Sequence, residues 1–334
     1  MTTATDTADS AASAGGGQRP DAIRAVPLRH PWRWAAALVV LVITAEIVDT
    51  IVTAPDLHWD TVRHFVTAQL ILDGVRLTIE LTVIAMVIGV FLGVVLAVMR
   101  LSPNPVVSSV SWFYIWFFRG TPVLVQIFFW FNLNAVLHHV GIGIPFTNIG
   151  WQTSTNSLIT PFLAAILGLG LNEAAYMAEI VRAGIISVEH GQTEAAQALG
   201  MRRLMIMRRV VLPQAMRVII PPTGNETISM LKTSSLAFIA AVPELFTRGE
   251  QISSVNFRVI ELLFVVSAWY LLMTSVLTFG QYYLERYFAR GSQRELPPTP
   301  LQRFRRMLLT FHAPVPVSGE GVVGTPVTQG GGSR

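Results

Sequence analysis

The chain contains no cysteine, which excludes disulfides, thiolate zinc sites and cysteine nucleophiles. Charge is scarce as well: 13% of the 334 residues are charged, against 52% hydrophobic. A soluble domain carries about a quarter charged residues, so the deficit, with a mean hydropathy of +0.52, indicates a membrane protein. Lysine is nearly missing, since Lys232 is the one lysine among 24 basic residues. It follows Met230-Leu231 and belongs to no G-x4-GK[ST] phosphate loop, so the chain lacks the means to hydrolyse ATP. The histidines show no HExxH or comparable spacing, and neither a metal site nor a catalytic residue is expected. A pI of about 9.8 raises nucleic acid as a partner. The arginines flank apolar segments without forming a basic stripe, so membrane topology accounts for them better.

What is present is a series of long apolar runs. Taking about 20 apolar residues as the length that crosses a bilayer, six spans are expected at about 34–53, 77–99, 112–137, 158–182, 217–243 and 260–283. Leu262–Leu284 holds no Asp, Glu, Lys or Arg, and neither does Gly120–Asn172. The latter is too long for one helix and is divided by Gly141, Gly143, Pro145, Asn148 and Gly150. The Thr-, Ala-, Ser- and Gly-rich residues 1–30 and the Pro-, Gly- and Arg-rich residues 291–334 read as disordered cytoplasmic tails. Between them, residues 31–290 form the transmembrane domain. The expected fold is all-α, polytopic and helical.

Arginine placement orients the spans. With a cytoplasmic N-terminus, nineteen basic residues lie inside and four (Arg63, Arg76, Arg248 and Arg258) outside, a strong positive-inside bias. Residues 183–216 and both tails then face the cytoplasm, with Arg100 and Arg119 at the inner ends of spans two and three. No long internal repeat is visible, which weighs against a secondary transporter built from inverted repeats.

Within the cytoplasmic segment, Glu194–Leu199 has good helix formers, and Ala195 and Ala196 leave it slim. Gly200 is placed to end it in the left-handed cap. Arg202–Arg209 is a basic amphipathic stretch, and Leu212-Pro213 leads into span five. A short helix stopped by glycine can project from the bilayer and seat in a groove of another protein. Arg119-Gly120-Thr121-Pro122 has two readings: a helix break near a cytoplasmic gate, or an inner-end arginine followed by a helix start with Pro in its first turn. Glu179 and Arg182, three apart, form an ion pair. Glu173 lies deeper and must be partnered, protonated or facing water. Asn225, Ser229 and Lys232 form a polar stripe on span five with Glu226 and Thr233 at its edge, facing either a translocation path or a neighbouring helix.

The spacing EAA-x3-G-x9-[I/V]-x-LP at Glu194–Pro213 resembles the cytoplasmic coupling loop of the membrane subunits of bacterial ABC importers. Together with NEAAYMAEIVRAGI from Asn172, NETISMLKTSSL from Asn225 and FRGTPVLVQ from Phe118, it is similar to their polar amino acid branch, the histidine, glutamine, glutamate and arginine type. The similarity covers about residues 70–290. Lys232-Thr233-Ser234-Ser235-Leu236 departs from the family's Lys-Asp-Thr-Ser-Leu type sequence. Five spans with an outer N-terminus are usual there, so an extra first helix puts this N-terminus inside, in line with the arginine count.

The resemblance implies a type I permease fold in the bacterial cytoplasmic (inner) membrane, with a cytoplasmic coupling helix in a coupling loop at about 188–213. Its partners would be an ATP-binding cassette ATPase that binds ATP and Mg, an extracytoplasmic solute-binding protein and a second permease subunit, identical or not. The implied substrate is a polar or charged amino acid. Glu194, Ala195, Ala196, Gly200, Leu212 and Pro213 would meet the ATPase. Glu173, Asn225, Glu226, Ser229 and Lys232 are the candidate pathway, and Arg119, Gly120, Thr121 and Pro122 the candidate gate. The alternatives are an importer permease for methionine, an opine or an osmolyte, and an ion-coupled carrier using Glu173 and Glu226 as relays.

Overall fold

In lipid every backbone polar group must be satisfied internally, and helices do this within one segment. The computed structural model describes residues 31–143 and 150–288; the segments read as tails lie outside the described residues. The chain runs through helices α1 (Pro31–Val52), α2 (Trp59–Val66), α3 (Gln69–Arg100), α4 (Pro105–Gly120) and α5 (Val123–Phe131). A hairpin of β1 (His139–Gly143) and β2 (Gly150–Ser154) follows. Then come α6 (Thr155–Leu158), α7 (Pro161–Ile186), α8 (His190–Ala198), α9 (Arg203–Ile206), α10 (Leu212–Thr233), α11 (Leu245–Asn256) and α12 (Val259–Phe288). A π-helical segment, Met207–Val211, joins α9 to α10, and a 3-10 segment, Ser234–Ala240, extends α10.

The chain divides into two compact units. The described part of the first is α1 up to Val48, whose described side chains are all exposed and mostly apolar. The second, Asp49–Pro297, carries everything discussed below. Among the described residues, α1, α3, α7 and α12 are each long and apolar enough to cross a membrane. Arg203–Ala240 with Leu245–Asn256, bent by 49°, is together long and apolar enough for a broken span or a re-entrant loop. The expected third span is not one helix but the consecutive pair α4 and α5.

That span also begins earlier than expected. Asn104 caps α4, its side chain accepting from the Val106 amide at 2.9 Å, and Pro105 occupies the first turn, where its missing N–H costs nothing. Arg119 therefore stands fourteen residues into α4, about 21 Å along it at 1.5 Å per residue, and not at the inner end. The segments between spans hold helices as well. Residues 54–76 contain α2 and the first turns of α3, and 244–257 is almost wholly α11. Their short amphipathic patterns lack the length of a span.

The core joins α3, α5, α7 and α10 through Leu81, Ala85, Ile127, Ala165, Leu169 and Met230, all buried. A close seam runs between α3 and α7. A Cβ on Gly89 would lie 2.4 Å from Cγ of Glu173, and one on Gly93 would lie 2.5 Å from Cβ of Met177. Side chains there would force the helices apart, as small residues at helix seams in membranes prevent.

A second anchor is Glu244, fully buried, whose carboxylate accepts from the amides of Phe246 (2.9 Å) and Thr247 (2.8 Å), the Thr247 hydroxyl (2.9 Å) and the Tyr270 hydroxyl (2.9 Å). It caps α11 and ties it to α12, and the Leu245 amide donates to Thr78 of α3 at 3.1 Å. Glu244→Ala strands these donors, each orphan costing about 1–3 kcal/mol. A thermal melt of the detergent-solubilised subunit should fall well below wild type. An unchanged melt would show that these bonds do not hold α11.

Candidate functional site

The site is assembled where α4 breaks. Residue Thr121 is extended (φ −113°, ψ 142°) and Pro122 caps α5, so neither helix runs through. The exposed end of α4 is stitched by side-chain amides. Gln126 Nε2 donates to the Phe118 carbonyl (3.0 Å), the Thr121 carbonyl (3.1 Å) and the Thr121 hydroxyl (2.8 Å). Asn172 Nδ2 of α7 donates to the same Phe118 carbonyl at 2.9 Å, and the Tyr114 hydroxyl donates to the Leu171 carbonyl at 2.9 Å. Irregular backbone at membrane depth persists where protein satisfies it or where it lines a cavity; both conditions hold here.

The cavity beside the break measures about 630 Å³, and Arg119, Thr121, Asn172, Glu173, Tyr176, Glu226, Ser229 and Thr233 give it its polar lining. Thr160 and Pro161 start α7, the Thr160 hydroxyl accepting from the Leu163 amide, which sets Glu173 in mid-helix. Glu173 is 3% exposed, pressed against Gly89, and its Oε1 has no hydrogen-bond partner among the described residues. The guanidinium of Arg119 lies 5.1 Å from the centroid of the Tyr176 ring, within cation–π range. Its charge attracts Glu226, which in turn repels Glu173.

Glu226, Ser229 and Thr233 stand at i, i+3 and i+7 of one helical face. This corrects the expected stripe, because the face turned to the cavity is offset by one residue from Asn225, Ser229 and Lys232. Asn225 instead accepts from Gln281 of α12 at 2.9 Å, and Lys232 is exposed outside the cavity lining. The helix opens just before this face, at Pro221 and Pro222, which remove two ladder donors. Gln281 also donates to the Pro221 carbonyl at 3.3 Å. Residues Asn172, Tyr176 and Gln126 were not singled out for the site by charge or spacing. Their marks in the sequence are their place in otherwise apolar runs and within the NEAAYM and FRGTPVLVQ motifs that carry the resemblance. Arg182 and Glu179 pair at 2.7 Å away from the cavity.

The second part of the site is the loop of α8 and α9. The helix begins at His190, four residues before Glu194, and ends in a Schellman motif. The Gly200 amide donates to the Gln197 carbonyl (2.9 Å) and the Met201 amide to the Ala196 carbonyl (3.1 Å), with Gly200 at φ 73°. Ala196 is buried against Ile206 and Val211, so its small size serves the loop's own packing. Glu194 and Ala195 face outward, and Leu212 and Pro213 are exposed in the first turn of α10. Leu199 (82% exposed) and Leu204 (80% exposed) stand out from this polar loop.

Apolar helices long enough to cross a membrane, around a cavity with a polar lining, define a membrane transport subunit. The chain belongs to the binding-protein-dependent transport system inner membrane component family, whose model matches residues 89–290. It is 48% identical to the arginine transport system permease protein of Corynebacterium glutamicum, over 83% of this chain and 87% of that one. It is 32% identical to the glutamine transport system permease protein of Escherichia coli, over 65% of this chain and 92% of the other. Among solved structures, an amino acid ABC transporter with histidines matches with a TM-score of 0.56 and 35% identity, over 65% of this chain and 94% of its own. The chain is thus a multi-pass membrane permease subunit.

Proposed function

We propose that this permease carries an amino acid with a cationic side chain into the cell, driven by a partner ATPase. One observation carries the charge class. Two carboxyl groups, Glu173 and Glu226, face one cavity against a single guanidinium, and Glu173 Oε1 is left without a partner. A buried acceptor with nothing to accept from is costly, and an ammonium or guanidinium on a substrate supplies the missing donor. The arginine permease among the relatives supports the same class.

The helix break at Thr121-Pro122 acts in this reading as the gate, since α4 can swing against α5 without breaking a ladder hydrogen bond. ATP and Mg are bound by the ATPase, which grips the outward face of the α8–α9 loop, including Glu194 and Ala195 of α8, Leu199 at its end and Leu204 of α9. A solute-binding protein delivers substrate on the opposite side, and a second permease subunit completes the path. The arginine bias puts α8 and both termini in the cytoplasm, and it survives moving Arg119 from the inner set to mid-membrane.

The test is uptake into proteoliposomes holding the permease, its ATPase and its binding protein. Accumulation of L-arginine or L-lysine should require ATP and the ATPase. Uptake driven by an ion gradient with the ATPase left out would overturn the proposal.

A further inference from the structure

Resting on that cationic reading, we propose that Arg119 is a tethered stand-in for the substrate's head group. Its guanidinium holds the place on Tyr176, beside Glu226, that the substrate's cationic side chain takes over.

An arginine about 21 Å along a membrane helix needs a functional reason, since ionisable groups at that depth are expensive and rare. Arg119 has none of the usual structural partners. Among the described residues no carboxylate lies within 4.0 Å of it and it makes no hydrogen bond, whereas Arg182 is held by Glu179 and Arg258 by Glu261. What holds Arg119 is the Tyr176 ring at 5.1 Å and the longer-range pull of Glu226. These are the interactions by which a free guanidinium or ammonium is recognised. Among the described residues it is also the one cation in the lining, so without it Glu173 and Glu226 repel each other with no counter-charge beside them.

Its position lets it leave. Arg119 is exposed and stands in the last turn of α4, one residue before Gly120, around whose missing Cβ there is open space within 4 Å. The backbone then turns extended at Thr121. The helix does not continue past Gly120, so the Arg119 side chain can swing away at small cost while the backbone stays held, and return when the substrate departs. The site would thereby keep a counter-ion throughout the cycle, and stray small cations would compete against a resident one at high local concentration.

A different role, Arg119 gripping the substrate's α-carboxylate, predicts the opposite sign, so affinity separates the two. Permease assembled with its ATPase in lipid nanodiscs is titrated with L-arginine and with L-glutamine, for the wild type, R119A and R119K. Removing an internal competitor should tighten L-arginine binding in R119A by roughly tenfold. Millimolar guanidinium chloride should reverse that gain in R119A and leave the wild type unaffected. R119K keeps the charge but loses the planar stacking, so a smaller gain is expected, and this variant decides the matter if R119A does not assemble. Weaker binding of both amino acids in the variants overturns the stand-in role and leaves the cationic reading intact. A wild type that prefers L-glutamine over L-arginine overturns the cationic reading and the stand-in with it.

Discussion

A Gly200→Val permease is expected to reach the membrane at the wild-type level and to drive almost no ATP-dependent uptake. Gly200 sits at φ 73° with no atom within 4 Å of a built Cβ, so the substitution meets no clash and acts through the backbone alone. The left-handed region costs an L-residue about 1–2 kcal/mol, and a β-branched one is a genuine outlier there. A penalty of about 2 kcal/mol shifts the balance away from the native helix end roughly thirtyfold. The Schellman pair to Gln197 and Ala196 is lost, and Met201 leaves its seat against Ala196, Ile206 and Val211. The spans are untouched, so insertion and the melt of the subunit should hold. Asn tolerates this conformation, so Gly200→Asn should retain most uptake. Measuring ATPase stimulation beside uptake locates the defect, and normal transport by the valine variant would show that the shape of this helix end does not matter.

The second large effect is expected at Glu173. Glu173→Gln keeps the side chain's length and its fit against Gly89 but removes the charge. Truncating one side of a buried charge pair costs about 2–5 kcal/mol, so uptake of L-arginine or L-lysine should fall by roughly a hundredfold in kcat/KM. Glutamine, which brings no cationic head, should be affected far less. A uniform loss for all amino acids would assign Glu173 to structure and not to substrate charge. Full activity toward L-arginine would remove it from the path.

Much of this architecture was legible because hydropathy alone sets it. The spans near 77–99 and 260–283 fall inside α3 and α12, and 158–182 begins three residues before α7, because their apolar runs outweigh the few charged residues among them. The third failed at its start. Asn104-Pro105 is a cap written in two residues, but the following Val-Val-Ser-Ser-Val-Ser is too polar for a hydropathy window to count. Arg119 was consequently set at the membrane surface. On α10 the charged and amide groups are dense enough that two stripes one residue apart look alike. Packing decided between them, because Gln281 of α12 engages Asn225. The loop of α8 and α9 was more readable: glycine after an alanine-rich helix has few uses. That Ala196 faces the loop's own core, while Leu199 and Leu204 face out, depends on the π-helical return of Met207–Val211, which no spacing rule anticipates.

One consequence follows from the short link between α7 and α8. Ser187, Val188 and Glu189 are all that separates Ile186 from His190, so the knob and the Glu173 carboxylate ride on nearly one piece of chain. Thirteen residues of unbroken helix, about 20 Å at 1.5 Å per residue, separate Glu173 from the end of α7. A rod of that length tilted by about 10° carries its far end about 3.5 Å, more than the length of a hydrogen bond. The glycine seam at Gly89 and Gly93 makes α3 share the swing. On the proposed reading, a modest push on α8 would therefore already be a full stroke at the Glu173 cavity, with little slack to take up before it acts.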